Sequence, residues 1–184
     1  NEAANILANK LLKEGVCHSD RVVLFMENRP DYIISILALN KIGAIGVLIN
    51  TSLTGGPLIH CINSSESKKC IVGAELTPSL EGVLNEINIK EKSDIYWIKD
   101  DNNGICPEWA TNLETLLDKS QKDNLHETNN VTAKDTAFYI FTSGTTGVPK
   151  AALFPNTKIV AASANITKAG YRMTDKDCLY NCLP

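Results

Sequence analysis

Phe138-Tyr139-Ile140-Phe141-Thr142-Ser143-Gly144-Thr145-Thr146-Gly147-Val148-Pro149-Lys150 runs from apolar and aromatic side chains into hydroxyls and glycines and closes on a lysine. The apolar part, Ala137 to Phe141, is short, β-prone and bounded by turn residues, which predicts a buried strand. The residues after Phe141 have the parts of a phosphate cradle. Gly144 and Gly147 can take positive φ and let the backbone approach an anion closely. Thr142, Ser143, Thr145 and Thr146 supply hydroxyl donors, and Lys150 supplies a point positive charge. Backbone N–H groups in such a loop can form an anion-binding nest.

A Walker-type loop requires glycine, four residues, then Gly-Lys-Ser/Thr. Counted from Gly144, the second glycine position is Pro149, so that pattern fails. Pro149 also lacks a backbone donor where a Walker loop would run into its helix. Ala151-Ala152-Leu153-Phe154 reads as another short strand, so the loop is expected to join two strands. On Gly, Ser and Thr content alone, a flexible turn with one solvated lysine remains an equal alternative.

Upstream, helix and strand patterns alternate. Apolar residues at Ala4, Leu7, Ala8, Leu11 and Leu12 predict a helix over Ala3–Glu14, stopped by Gly15. Arg21–Met26 is β-rich. Asn28 is a candidate cap, Pro30 suits a first helical turn, and Asp31–Ile42 is an apolar helix closed by Gly43. Ala44–Ile49 is a second apolar run, Gly55–Asn63 a short helix, Lys69–Val72 a third strand, Pro78–Ile89 a helix and Ile95–Ile98 a fourth strand. Thr111–Leu117 is a short helix, and residues 119–130 form an exposed connection, read as a hinge within one domain. After the loop comes a helix from about Thr157 to Ala169. The alternation predicts an α/β fold with a largely parallel sheet covered by helices on both faces.

The chain has 184 residues, a net charge of −3, 43% hydrophobic and 21% charged residues. That is enough for one sizeable core, and it offers no charge-based case for nucleic acid or an anionic membrane. No apolar run approaches the roughly 20 residues of a membrane span, and no signal-peptide pattern opens the chain. The six cysteines show no Cys-x-x-Cys pair and no zinc spacing with the three histidines. Cys178 and Cys182 are expected as core or near-core thiols, and the compartment as reducing and cytoplasmic. The lack of an initiator methionine and the strand-like last residues lead us to expect a piece of a longer protein.

Thr142–Lys150 resembles the signature loop of the adenylate-forming enzymes, the superfamily of acyl-CoA synthetases, luciferases and peptide-synthetase adenylation domains. Glu27-Asn28-Arg29-Pro30, Lys41-Ile42-Gly43-Ala44, Leu48-Ile49-Asn50-Thr51-Ser52-Leu53, Leu58-Ile59-His60-Cys61-Ile62 and Cys178–Pro184 are similar to the fatty acid transport protein and very-long-chain acyl-CoA synthetase family. The resemblance implies the N-terminal part of the large domain of such an enzyme. It implies activation of a long- or very-long-chain fatty acid by ATP, with Mg²⁺, through an acyl-adenylate to a coenzyme A thioester. It assigns Thr142, Ser143, Gly144, Thr145, Thr146, Gly147 and Lys150 to the ATP phosphates, none of them as general base or nucleophile, and leaves the metal ligands unassigned. Peripheral membrane association of the intact protein is compatible with it. Adenylation brings an anionic nucleophile to a polyanion, so charge neutralisation and positioning carry the catalysis.

Many relatives carry a histidine six residues beyond the motif lysine. That position is Asn156 here, read as a cap for the next helix. A later adenine motif, an acidic metal motif and a C-terminal domain with its lysine are not found, so the chain alone is expected to make no acyl-CoA. Alternatives are a fatty acid uptake protein, a ligase for another carboxylate, and an inert α/β module. Other candidates read as structural. His60 and Cys61 are helix neighbours that point apart. His18 and His126 are solvated, the Asp175–Asp177 cluster is a turn, and Trp97 and Trp109 pack.

Overall fold

The computed structural model describes residues 1–100, 104–142, 149–165, 170–174 and 176–178. Chain order is α1 (Glu2–Lys13), β1 (Arg21–Phe25), α2 (Pro30–Lys41), β2 (Ile45–Leu48), α3 (Gly55–Ser65), β3 (Lys69–Gly73), α4 (Thr77–Glu81), β4 (Ile95–Ile98), β5 (Thr111–Asn112), β6 (Thr136–Thr142), β7 (Lys150–Pro155) and α5 (Asn156–Ala164). The strands form one sheet in the order β5-β4-β3-β1-β2-β6-β7. Every pairing is parallel except β6–β7.

Alternate residues of the central strands feed two cores, as the period of two requires. Val22, Leu24, Ile71 and Tyr96 pack with Leu7, Leu11, Ala38 and Leu39 of α1 and α2. Val23, Phe25, Cys70, Val72 and Trp97 pack on the other face with Leu58, Ile62 and Leu80 of α3 and α4. The expected helix-covered parallel sheet is therefore present, with β1, β3 and β4 almost wholly buried. Strand β6 departs from expectation. Ala137 is buried, but Phe138 to Phe141 are only half-buried. Tyr139 and Phe141 still pack against the core on the α3 side, while Leu153 of β7 is 53% exposed.

Three local expectations are corrected. The Pro78–Ile89 helix ends at Glu81. Gly82, Asn85 and Asn88 are poor helix residues, and the chain continues as turns while Val83, Ile87 and Ile89 stay buried. The Asn63 side chain holds this segment, donating to the Glu86 carbonyl at 2.9 Å and accepting from the Asn88 N–H at 2.8 Å. Thr111–Leu117 is a two-residue edge strand followed by a 3₁₀ turn over Leu113–Leu116, capped where Asn112 accepts from the Glu114 N–H. Asn28 is not the cap of α2. Arg29 occupies that place in extended conformation and makes no side-chain cap bond. Its guanidinium instead pairs with Glu75 at 3.1 Å and donates to the carbonyls of Ile98 at 3.2 Å and Lys99 at 3.0 Å. Glu75 also accepts from the Glu27 N–H at 2.7 Å, so one ion pair cross-links the ends of β1, β3 and β4.

The 119–130 connection is exposed over most of its length, yet Leu125 is buried and Asn5 of α1 donates to the Lys122 carbonyl and the Asn124 amide oxygen. At the opposite edge from Arg29, Asp135 precedes β6. It accepts from the Thr132 N–H at 2.6 Å and meets the His18 ring at 3.3 Å.

The Thr132 N–H, aided by His18, holds the Asp135 carboxyl below the ordinary carboxylate range. A depressed folded-state pKa adds stability above the unfolded value and loses it as pH falls through the folded value. Thermal melts from pH 7 to pH 3 should therefore show a melting temperature that declines below the ordinary carboxylate range. Asp135→Asn should be less stable at neutral pH and lose part of that acid dependence. An unchanged acid limb in the variant would show that this carboxylate does not contribute.

Candidate functional site

Strand β6 runs parallel to β2, with Gly46 opposite Phe138 and Leu48 opposite Ile140, so it delivers Thr142 to the carboxyl edge of the sheet. Strand β7 returns antiparallel, pairing Phe141 with Ala151 and Thr142 with Lys150. Residues 143–148, which join the two strands in sequence, lie outside the described residues. The stacked rings of Phe138 and Phe154, 5.4 Å between centroids, add a cross-strand contact to the hairpin. Open parallel sheets bind ligands at this edge.

Thr142 and Lys150 are both exposed. The Thr142 hydroxyl reaches toward the Lys150 carbonyl at 3.5 Å, a long contact. The Lys150 ammonium forms no ion pair or hydrogen bond with any described residue. Ser143, Gly144, Thr145, Thr146 and Gly147 lie outside the described residues, so the structure brings together Thr142 and Lys150 from the expected set.

Sequence reasoning missed one contact at this loop. The imidazole Nε2 of His60, in α3, lies 3.0 Å from the Pro149 carbonyl oxygen. The expectation that His60 and Cys61 form no pair holds. Cys61 is fully buried in the core, and burial pushes its thiol up to about 11. Cys70 is likewise buried, with its thiol pushed up to about 12. A buried protonated thiol is no nucleophile at neutral pH. Cys178, expected in or near a core, is exposed. Cys182 lies outside the described residues.

Asn156 is the first residue of α5 rather than its cap. Its amide donates to the Thr132 carbonyl at 3.0 Å and accepts from Asn40 of α2 at 2.7 Å. It fastens α5 to α2 at the edge away from the loop. His18 is half-exposed and touches both Asp135 and Ser19, at that same far edge. Trp97 is buried and donates to Thr77, while Trp109 donates to Glu81. Asp177 accepts from the Thr174 N–H within a turn, and Asp175 lies outside the described residues.

A separate cavity of about 640 Å³ lies between α1, α2 and the end of β4. Glu2, Asp31 and Glu114 line it together with Lys119 and Lys122, and Lys122 already pairs with Glu2 at 3.2 Å. Asp31 pairs with Arg29 at 3.4 Å and Glu114 lies 4.0 Å from Lys99, so each of these carboxylates has a cationic neighbour. Among the described residues, no three His, Cys, Asp or Glu side chains converge as a metal site.

The sequence pattern of the family described as AMP-binding enzyme matches residues 1–184. The chain belongs to this family. It is 33% identical over 98% of its length to long-chain fatty acid transport protein 1 of Homo sapiens, covering 28% of that protein. It is 31% identical over its full length to a medium/long-chain fatty acid–CoA ligase of Mycobacterium tuberculosis, covering 29% of it. The chain thus spans less than a third of these relatives. The fold is that of a long-chain fatty acid–CoA ligase of Archaeoglobus fulgidus, with a TM-score of 0.74 at 21% identity, over 96% of this chain and 33% of that one.

Thiol burial gives a direct check. Cys17 and Cys178 should label rapidly with a thiol reagent at pH 8, whereas Cys61 and Cys70 should label only on unfolding. Fast native labelling of Cys61 would show that α3 is not packed as described.

Proposed function

We propose that the protein carrying this chain activates a long- or very-long-chain fatty acid. The carboxylate oxygen attacks the α-phosphorus of ATP, and the bond to pyrophosphate breaks with its electron pair leaving on pyrophosphate. The coenzyme A sulfur then attacks the acyl carbon, and AMP leaves. The observation that carries this reading is the placement of Lys150. It stands beside Thr142 at the sheet's carboxyl edge, without an acidic partner among the described residues. Membership of the AMP-binding family and the names of the relatives support it.

In this reading Thr142, Ser143, Gly144, Thr145, Thr146, Gly147 and Lys150 hold the β- and γ-phosphates. Thr142 donates its hydroxyl, and Lys150 neutralises the charge that otherwise opposes an incoming carboxylate. The described residues offer no convergent metal ligands, so no step is assigned to Mg²⁺ on them.

A second reading, uptake of fatty acid driven by its esterification, rests on the relatives named as transport proteins. No helix among the described residues is long and apolar enough to cross a membrane. We propose a reducing, cytoplasmic setting on the cysteine usage, and peripheral membrane attachment of the intact protein on the relatives named as transport proteins.

Fatty-acid-dependent ATP–pyrophosphate exchange on the full-length protein tests the proposal. Lys150→Ala should lower exchange by about 10²-fold or more, the scale on which a transition-state charge contact acts. No exchange with any fatty acid, or undiminished exchange in the variant, would refute it. Exchange with an aromatic or short acid alone would redirect the substrate assignment.

A further inference from the structure

His60 stands on a rigid base. On the turns either side of it, Leu58, Cys61, Ile62 and Ser65 are buried against the sheet. The end of α3 is further tied by the Asn63 bonds to Glu86 and Asn88. From this base the imidazole reaches the hairpin and meets the Pro149 carbonyl at 3.0 Å. A carbonyl only accepts, so Nε2 carries the proton. The bond survives protonation of the ring, because both nitrogens then donate.

Pro149 has no N–H, so its carbonyl is the only polar backbone group of the residue. That carbonyl and the Lys150 N–H belong to one planar trans peptide group and point in opposite directions. Holding the carbonyl toward α3 therefore turns the Lys150 N–H away from α3 and fixes the plane from which the Lys150 side chain departs. Thr142 and Lys150 form the last register pair among the described residues, and Pro149 directly precedes that pair in the chain.

We propose that His60 is a positioning residue for the phosphate-binding loop, setting the peptide plane that carries Lys150. This rests on the reading of that loop as the ATP phosphate site. His60 touches neither phosphate nor acyl group in this role. It keeps the lysine and its peptide in the binding arrangement, so that ATP does not have to order them.

The test is ATP–pyrophosphate exchange on the full-length protein, measured against both ATP and fatty acid, with thermal melts of every variant. His60→Ala should raise the KM for ATP about five- to tenfold, the effect of one hydrogen bond, and leave the KM for the fatty acid unchanged. His60→Gln places an amide N–H where Nε2 stands and should restore the ATP KM to within about twofold. His60→Asn is polar but too short to reach Pro149 and should behave like His60→Ala. If Lys150→Ala weakens ATP use while His60→Ala does not, the positioning role is refuted and the loop assignment stands. If Asn restores function as well as Gln, the bond to Pro149 is not the reason. If Lys150→Ala is itself without effect, the loop assignment falls, and this proposal with it. Should His60→Ala fail to fold, the Gln and Asn pair decides.

Discussion

The architecture around the candidate site depends on β2 accepting β6 as a parallel neighbour. Between those strands in sequence lie α3, β3, α4, β4 and β5, which build the other side of the sheet first. Only then does the chain cross back to place Phe138, Tyr139 and Ile140 opposite Gly46, Val47 and Leu48. Parallel direction sends Thr142 to the carboxyl edge, and the antiparallel return of β7 brings Lys150 to the same place. A slip of one residue would turn every side chain of β6 to the other face. It would also set the loop on a different footing against α3.

This geometry differs physically from a phosphate loop that runs into a helix. There the helix N-terminus presents free N–H groups and a partial positive charge. Here the lysine is the first residue of strand β7 rather than of a helix. In the proposed reading, anion binding falls to the amides and hydroxyls of the Thr142–Gly147 segment and to Lys150. Arg29, another cation at this edge, is already committed to Glu75, Asp31 and two backbone carbonyls. It holds strand ends together and has little charge left for a ligand.

Much of this was readable from residue patterns. Continuous apolar runs at Arg21–Met26, Ala44–Ile49, Lys69–Val72 and Ile95–Ile98 mark strands buried on two faces, and the glycines after α1 and α2 mark their ends. Gly43 has φ of +68, a conformation glycine tolerates. The strand-like run Ala151–Phe154 after the lysine pointed to a strand following the loop, and β7 is there. What escaped was tertiary. The Pro78–Ile89 pattern has helical spacing, but Gly82 and two asparagines let the chain bury the same residues in turns. The half-buried state of β6 depends on which helices reach it, which no local pattern records. The His60 contact joins residues 89 apart in sequence, and nothing near His60 announces it. Asn156 resembled a cap by type and position, yet its partners, Asn40 and Thr132, come from other elements.

The decisive measurement is a crystal structure of the full-length protein with a non-hydrolysable ATP analogue. The β- and γ-phosphates should lie within hydrogen-bonding distance of the 142–150 hairpin, with the Lys150 ammonium within about 3 Å of a phosphate oxygen. Phosphates seated in the α1–α2 cavity, or at any site that leaves Lys150 in solvent, would contradict the assignment of this hairpin to ATP.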